Sequence, residues 1–532
     1  MNRKTHTGWQ RFFNGLALSV VTAALVTGCQ DLNDIQHLDP LKGVVFKINY
    51  EPSPTTLQGL VVDARTGESL NSPVQIRIYG PDASRVVTYE GVSTTSIKSS
   101  NADLFLGLKG TVPSTAKPAE LRIVAEAAGY ISSSIYLFVD KAKPEPFSIR
   151  LVKDAAPPAG VTLSNGVVET SSTGAVRTNE SITTQTSASM TTSATVQIAA
   201  NTQLKDTRGQ VVSGNLSAQI AAYSSLSELA LRAYPGGFTT RLGVDDRGNK
   251  DVVGTFTPAG FVTIELENSN GQKVSNLSQP ATVRVELNGD VLNPGTGHKL
   301  KAGDQIPVFR YNETNGEWTY ERNAAVSQEG GKLQAVISAT YAAGYSLAFW
   351  TPSGTTCPGG AQWAITGKPD GKPVSWKLYN RNQLYKSGST TENAINIQSP
   401  FSGAARLELY SPSGMMIGTA TVSQLCGSHT ATVTYPANLV DLDVAVTAYC
   451  ENKTDVQISP SAWVRYRKVG TTNWQQAFLT AGKGKLVGLE ANTDYEAGVD
   501  YNGFNAVTIN SGQTSGSEMI KITLPKDMSV CQ

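Results

Sequence analysis

The sequence is short of charge, of histidine and of long apolar runs, and each shortage excludes a class of function. Only 16% of its 532 residues are Asp, Glu, Lys or Arg, and 44 basic against 43 acidic side chains leave a net charge of +1. No basic surface is available to draw nucleic acid. Four histidines serve the whole chain, and His37, His298 and His429 are far apart in sequence. No H-E-x-x-H motif, Cys/His pair or Ser/His/Asp set can be assembled from neighbouring segments. No Walker loop or dinucleotide fingerprint occurs either, so nothing calls for a cofactor or a metal. Glycine (49) and proline (25) are near ordinary usage, which removes collagen-like and linker-only architectures. With 40% hydrophobic residues the chain can bury several cores. Its length fits about three to five compact units.

The N-terminus carries the most specific signal. Arg3, Lys4 and Arg11 precede a mostly apolar stretch from Phe12 to Val26, which ends in Val26-Thr27-Gly28-Cys29. A membrane span needs about 20 apolar residues, and this run is shorter and contains Asn14. A basic start, a short apolar helix and small residues before a cysteine form a secretion signal of residues 1–28. The segment resembles bacterial lipoprotein signals. That resemblance implies cleavage before Cys29 and a diacylglycerol on its thiol, with the chain held to a membrane by that lipid. Removing residues 1–28 takes away three basic side chains and no acidic one, so the charge of +1 falls to −2. The protein then has no basic patch for lipid headgroups, and the acyl chains supply nearly all the anchoring. Gln30 follows the cysteine, with Asp31 and Asp34 beyond. By resemblance to sorted lipoproteins, this implies the outer membrane, at its surface or periplasmic face. Residues 29–40 form a tether.

Beyond the tether, apolar segments are short, alternating and bounded by Gly, Asn, Asp, Ser or Pro. Examples are Val74–Ile78, Val262–Leu266 and Ala281–Leu287. This pattern predicts an all-β fold of tandem antiparallel β-sandwiches, Ig-like or prealbumin-like. One helix is predicted at Ser225–Ala233, with Ser225 and Glu228 at capping-box spacing. The first unit, 41–152, contains Leu57 to Asp63, then Ala64-Arg65-Thr66-Gly67-Glu68, an exposed step at Leu70, and later Gly129-Tyr130. In the turn, Asp63 accepts backbone amides and Gly67 supplies positive φ; a calcium role for Asp63 and Glu68 is the rarer alternative. The segment resembles a carboxypeptidase regulatory-like domain, a prealbumin-like sandwich, which implies no catalytic zinc.

Residues 153–160, with Pro157-Pro158, form a stiff linker. Residues 169–195 hold fifteen Ser or Thr in 27 positions, read as a Thr-rich edge strand with a mobile loop in preference to a glycosylated stalk. The second unit, 161–352, includes Val196 to Thr202, Asp206 to Gly209, Tyr234 to Phe238, Gly303 to Phe309 and Asn315 to Trp318. Their order resembles a ZU5 or cartilage-intermediate-layer β module, although Ala199 and Asn201 replace a proline and a glycine of the common form. Some relatives of that module cleave themselves at Phe-Ser; here Tyr345-Ser346 has no histidine nearby, so self-cleavage is not expected. Asp245 to Asp251 lacks EF-hand order and is read as a charged hairpin tip. Trp318, Tyr311 and Tyr320 form a candidate ligand platform for sugar stacking, weighed against packing in the core.

A third unit, 353–437, has Trp363, Trp376, Leu378, Leu407 and Leu409 at alternating positions and resembles no family. The fourth, 438–532, carries Trp463 to Arg467 and Leu489 to Tyr495; it resembles a fibronectin type III domain, which implies that Tyr495 forms a tyrosine corner. Besides lipidated Cys29, four cysteines remain. Of three connectivities, Cys357–Cys426 and Cys450–Cys531 keep each disulfide within one unit. Each would contribute about 4 kcal/mol in the chain-entropy model. A zinc site is disfavoured because the spacings match no C-x-x-C pattern.

These features point to a noncatalytic cell-surface lipoprotein whose row of sandwiches binds a glycan or a surface protein, with membrane contact through Cys29. Two alternatives remain: a glycan-binding component of a polysaccharide-uptake system, and an enzyme with a carboxylate site within 161–437.

Overall fold

In a computed structural model of the chain, the described residues are 46–50, 53–88, 91–100, 102–114, 116–144, 146–187, 190–293, 296–352, 360–380, 383–397, 403–412, 414–471, 474–500, 504–512, 516–524 and 526. Cys29, His37, Cys357 and Cys531 lie outside them. Alternation along the strands sets the cores. In Val74–Tyr79 every second residue, Val74, Ile76 and Ile78, is buried. These side chains pack with Leu57, Leu104 and Leu106 between two sheets. One sheet runs Val86–Thr88, Asp103–Leu108, Thr55–Asp63, Phe147–Lys153, Tyr130–Ile131; the other runs Ser96–Ser99, Val74–Tyr79, Ala119–Ala127, Ser133–Val139.

Residues 161–352 form one continuous twelve-stranded sheet that curls over its own core instead of two separate sheets. Its longest strand, Lys250–Asn268, bends where the register against Gly344–Pro352 shifts between Pro258 and Gly260. A side chain at Gly260 would meet the Glu286 carbonyl at 2.9 Å, so the bend needs glycine there. Residues 361–432 form a three-stranded and a four-stranded sheet around Trp363, Leu378, Leu407 and Leu409. Residues 439–524 supply most of a five-stranded and all of a four-stranded sheet around Tyr466, Leu486 and Tyr495. The molecule is therefore all-β, with its sandwiches in tandem.

Three local expectations change. Leu70 is 3% exposed and belongs to the first core, because its amide bonds the Val61 carbonyl and draws the step inward. The helix spans Glu228–Arg232 and its cap is Ser227, whose Oγ accepts from the Ala230 amide. Ser225 instead donates to the Ala259 carbonyl. Strand Phe46–Tyr50, expected in the first sandwich, pairs in parallel with Lys453–Pro460 of the last, Ile48 opposite Ile458.

The sandwiches do not lie in a row. The first meets the second where Ser134 accepts from the Gly236 amide and Arg241 forks onto Glu120 at 2.7 and 2.8 Å. The second meets the third through Glu228–Lys377 at 2.8 Å and Thr255–Tyr385 at 3.3 Å. The third meets the fourth through Lys372–Asp441 and Ser375–Gln475. The fourth returns to the first: Gln58, 4% exposed, accepts from the Trp463 amide at 2.9 Å and donates to its carbonyl at 3.2 Å. Beside it Arg467 pairs with Glu68 at 2.7 Å. Gln58→Ala strips both partners from a strand backbone, an expected loss of about 1–3 kcal/mol. Urea denaturation of the whole chain checks this, and an unchanged midpoint would contradict the closure.

Candidate functional site

The turns predicted from sequence hold the loops in place. Asp63 Oδ1 accepts the amides of Arg65 and Thr66 at 2.8 and 3.1 Å, and Gly67 has φ +74°. Asp245 accepts the Arg247 and Asn249 amides at 2.9 and 2.8 Å and the Asn249 side chain at 3.0 Å, which makes the 245–251 segment a self-capped hairpin. Thr183 and Thr195 hydroxyls bond across paired strands, and Glu180–Thr183 is a sheet edge, so the Thr-rich segment contributes ladder as well as loop.

The aromatic platform is a core. Trp318 is 0% and Tyr311 1% exposed. The Tyr234 ring lies on Trp318 at 5.5 Å and 11°, and Phe256, Phe261 and Tyr311 close the remaining sides at 5.0 to 5.8 Å. Trp318 Nε1 donates to the Pro235 carbonyl at 3.2 Å, and Tyr311 donates to Ser134 Oγ of the first sandwich at 2.7 Å. Tyr320 is half-buried, with its ring against Phe309. A ring whose faces are covered cannot stack on a sugar, so Trp318 and Tyr311 serve packing and the junction with the first sandwich, with Tyr320 at the edge of that core. A side chain at Gly236, where φ is +72°, would strike Trp318 at 2.9 Å.

Beside this core, a cleft of about 850 Å³ opens between the first and second sandwiches. Glu126, Asp154, Glu265, Glu267 and Lys273 line it. Lys273 Nζ lies 3.7 Å from Glu265 Oε2, while Glu265 Oε1, Asp154 Oδ1 and Glu313 Oε1 are buried without hydrogen-bond partners. Burial pushes the Glu265 carboxyl above its ordinary value, with Asp154, Glu126 and Glu267 adding to the shift and Lys273 opposing it. Burial, followed by Glu265, raises Glu313 further. Asp154 is raised chiefly by burial. Lys273 is raised because these acids outweigh its own desolvation. The cluster thus favours protonated carboxyls. It escaped the sequence reading because its acids come from residues 126 to 313 and no local spacing joins them.

The remaining candidates are structural or lie elsewhere. His429 Nε2 is 2.7 Å from the Leu425 carbonyl, and its ring packs on Trp363 at 4.8 Å. Ser346 is fully buried and accepts from Tyr234 at 2.5 Å. Cys450 is 1% exposed; the expected partners Cys357 and Cys531, like the lipidation site Cys29, lie outside the described residues. Among the described residues no group of three or more His, Cys, Asp or Glu could hold a metal ion, and no helix is long and apolar enough to cross a membrane.

Two outcomes follow from this geometry. Trp318→Ala removes a fully enclosed ring, and denaturant titration should show a loss of about 3–5 kcal/mol. Glu313, Glu265 and Asp154 hold protons more tightly folded than unfolded. Their stabilisation is complete below the ordinary values, 3.8 for Asp154 and 4.5 for the two glutamates, and is lost as pH rises through the raised values. The melting temperature should therefore fall with rising pH above the ordinary values, and Glu313→Gln should flatten the slope. A melting temperature that rose across this range would contradict the assignment. Asp441, Asp245 and Glu228 are lowered and act only at more acid pH.

No family model matches the sequence, and no curated protein matches it. Among solved structures, the shaft pilin SpaA of Lactobacillus rhamnosus GG shares 8% identity over 30% of this chain and 95% of its own, with a TM-score of 0.15. The minor pilin GBS52 of Streptococcus agalactiae shares 10% over 31% and 95%, TM-score 0.12. The Bacillus anthracis TIE protein shares 10% over 68% of this chain and 57% of its own, TM-score 0.13. Likenesses this partial carry no argument about what the chain does; its all-β sandwich architecture rests on its own strands.

Proposed function

We propose that the protein is a noncatalytic lipoprotein of the bacterial cell surface, anchored in the outer membrane through Cys29, whose packed sandwiches offer a surface for adhesion or ligand binding. The observation that carries this reading is the Val26-Thr27-Gly28-Cys29 signal followed, among the described residues, by β-sandwiches. The resemblances to prealbumin-like, ZU5-like and fibronectin type III modules belong to the same proposal. In favour of the last, Tyr495 is buried and its hydroxyl accepts from the Glu490 amide at 2.9 Å, a tyrosine-corner bond. The disulfides Cys357–Cys426 and Cys450–Cys531 belong to the same proposal.

A second reading, an enzyme with carboxylates within 161–437, is favoured by the interacting pair Glu265 and Glu313. Glycoside hydrolysis needs one neutral and one ionised carboxyl facing the same substrate. Here burial raises both, and only Glu265 lines the cleft. Binding without turnover therefore fits the pair better.

Expression in a Gram-negative host tests the proposal. The wild-type chain should partition into the outer-membrane fraction and be cut by protease added to intact cells, and Cys29→Ser should leave it soluble. Retention in the cytosol, or an unlipidated Cys29, would overturn it.

A further inference from the structure

The cleft beside the acid cluster is built from two polar rows on facing sheets. Its floor is the outward face of strands Val161–Glu169, Asn215–Tyr223 and Lys250–Asn268. Register sets Val167, Ser217 and Glu267 abreast, and next to them Asn165, Gln219 and Glu265. Adjacent strands lie about 4.8 Å apart and alternate residues share a face, so these side chains, Val167 apart, form a grid of hydroxyl, amide and carboxyl groups. The opposite wall repeats the pattern, with Lys98, Gln75 and Glu126 abreast on three strands of the first sandwich.

The chemistry of the grid selects its ligand. Gln75 Nε2 is held by Ser96 Oγ at 2.9 Å and by the Ile76 and Ile97 carbonyls, and Gln219 Nε2 lies 3.5 Å from Asn165 Oδ1, so these amides offer their carbonyl oxygens, beside the carboxyls, as acceptors for hydroxyls on a sugar ring. Among the described residues Tyr130 is the one aromatic lining the cleft; it packs against the first core, with Lys153 Nζ 6.0 Å from its ring centre, and its cleft side is available to a ring's C–H surface. The lining is mixed in charge and not of one sign: Lys98 and Lys273 face Glu126, Asp154, Glu265 and Glu267, Arg77 pairs with Glu126, and Lys273 with Glu265. A separate observation points the same way. Ser132 lines the cleft at 4% exposure and its Oγ has no hydrogen-bond partner, as is true of Asp154 Oδ1 and Glu265 Oε1. Unmet groups of this kind are costly until a partner arrives. The volume of about 850 Å³ lies within the range of small-molecule sites, about 300–1,000 Å³.

We propose that this cleft between the first and second sandwiches binds a short stretch of a neutral, hydroxyl-rich polysaccharide, held by Gln75 on one wall and Ser217, Gln219 and Glu267 on the other, with Tyr130 against a ring face. The inference rests on the reading of the protein as a surface binding protein and names its ligand class.

The test is calorimetric titration of the full chain carrying Cys29→Ala. The probes are hexasaccharides of β-1,4-glucan, β-1,4-mannan, β-1,4-xylan, β-1,3-glucan and α-1,4-glucan, each to millimolar concentration, with hexagalacturonate and hexalysine as charged controls. At least one neutral hexasaccharide should bind, more tightly than either control. Gln219→Ala should weaken it by roughly tenfold or more, and Ser217→Trp, which fills the floor from an exposed position, should abolish it. Both variants should melt as the parent does. Failure of every neutral probe, preference for a charged control, or binding undiminished by Ser217→Trp would overturn the cleft proposal. The cell-surface reading would survive such a failure, because fractionation and protease access test it separately.

Discussion

Gln58 fixes the shape of the molecule. One buried amide side chain satisfies both the N–H and the C=O of Trp463, 405 residues away, and strand Phe46–Tyr50 extends the sheet of the last sandwich from the start of the first. A backbone donor and acceptor met by a single side chain leave little freedom to slide. With that link made, the fourth sandwich meets the first and the chain closes on itself. A binding surface on such a body comes from the seams between units more than from the free ends of a chain of beads.

The seam between the first two sandwiches shows how apolar and polar forces divide the work. On one side the rings around Trp318 exclude water and key into the first sandwich through the Tyr311–Ser134 bond and the Arg241–Glu120 fork. On the other side acids from both units crowd around one lysine, with several oxygens unmet. A well-packed seam needs no such cluster. Its persistence beside a tight aromatic contact, at the edge of an open cleft, is what one expects where a structure keeps polar groups ready for something other than itself.

Much of the fold was legible. Alternation located the strands, and Asp63 with Gly67 marked a turn that forms with the expected bonds. These are short-range features, governed by φ preferences and amides a few residues away. Long-range facts were hidden. Phe46–Tyr50 alternates like any strand, and nothing within five residues says which sheet it joins. Leu70 looked exposed because only the Val61 pairing turns it inward. The helix cap moved from Ser225 to Ser227 because the Ala259 carbonyl claimed the first hydroxyl. For the site, sequence reading singled out Trp318 and its aromatic neighbours, and Trp318 and Tyr311 are buried. Trp318 was conspicuous because it is large, and it is large because it fills a core. Glu126, Asp154, Glu265 and Glu313 were unremarkable one by one, and only the packing of two sandwiches assembles them.

Closure is the claim on which the arrangement of the four sandwiches and the placement of the first strand depend, and small-angle X-ray scattering of the chain without its signal segment addresses it directly. A compact body of this length has a radius of gyration of about 23 Å, so a closed arrangement of four sandwiches should give a value near or slightly above that. Sandwiches strung end to end would give roughly 40 Å or more together with a long tail in the distance distribution. The compact value would support the account, and the extended one would contradict it.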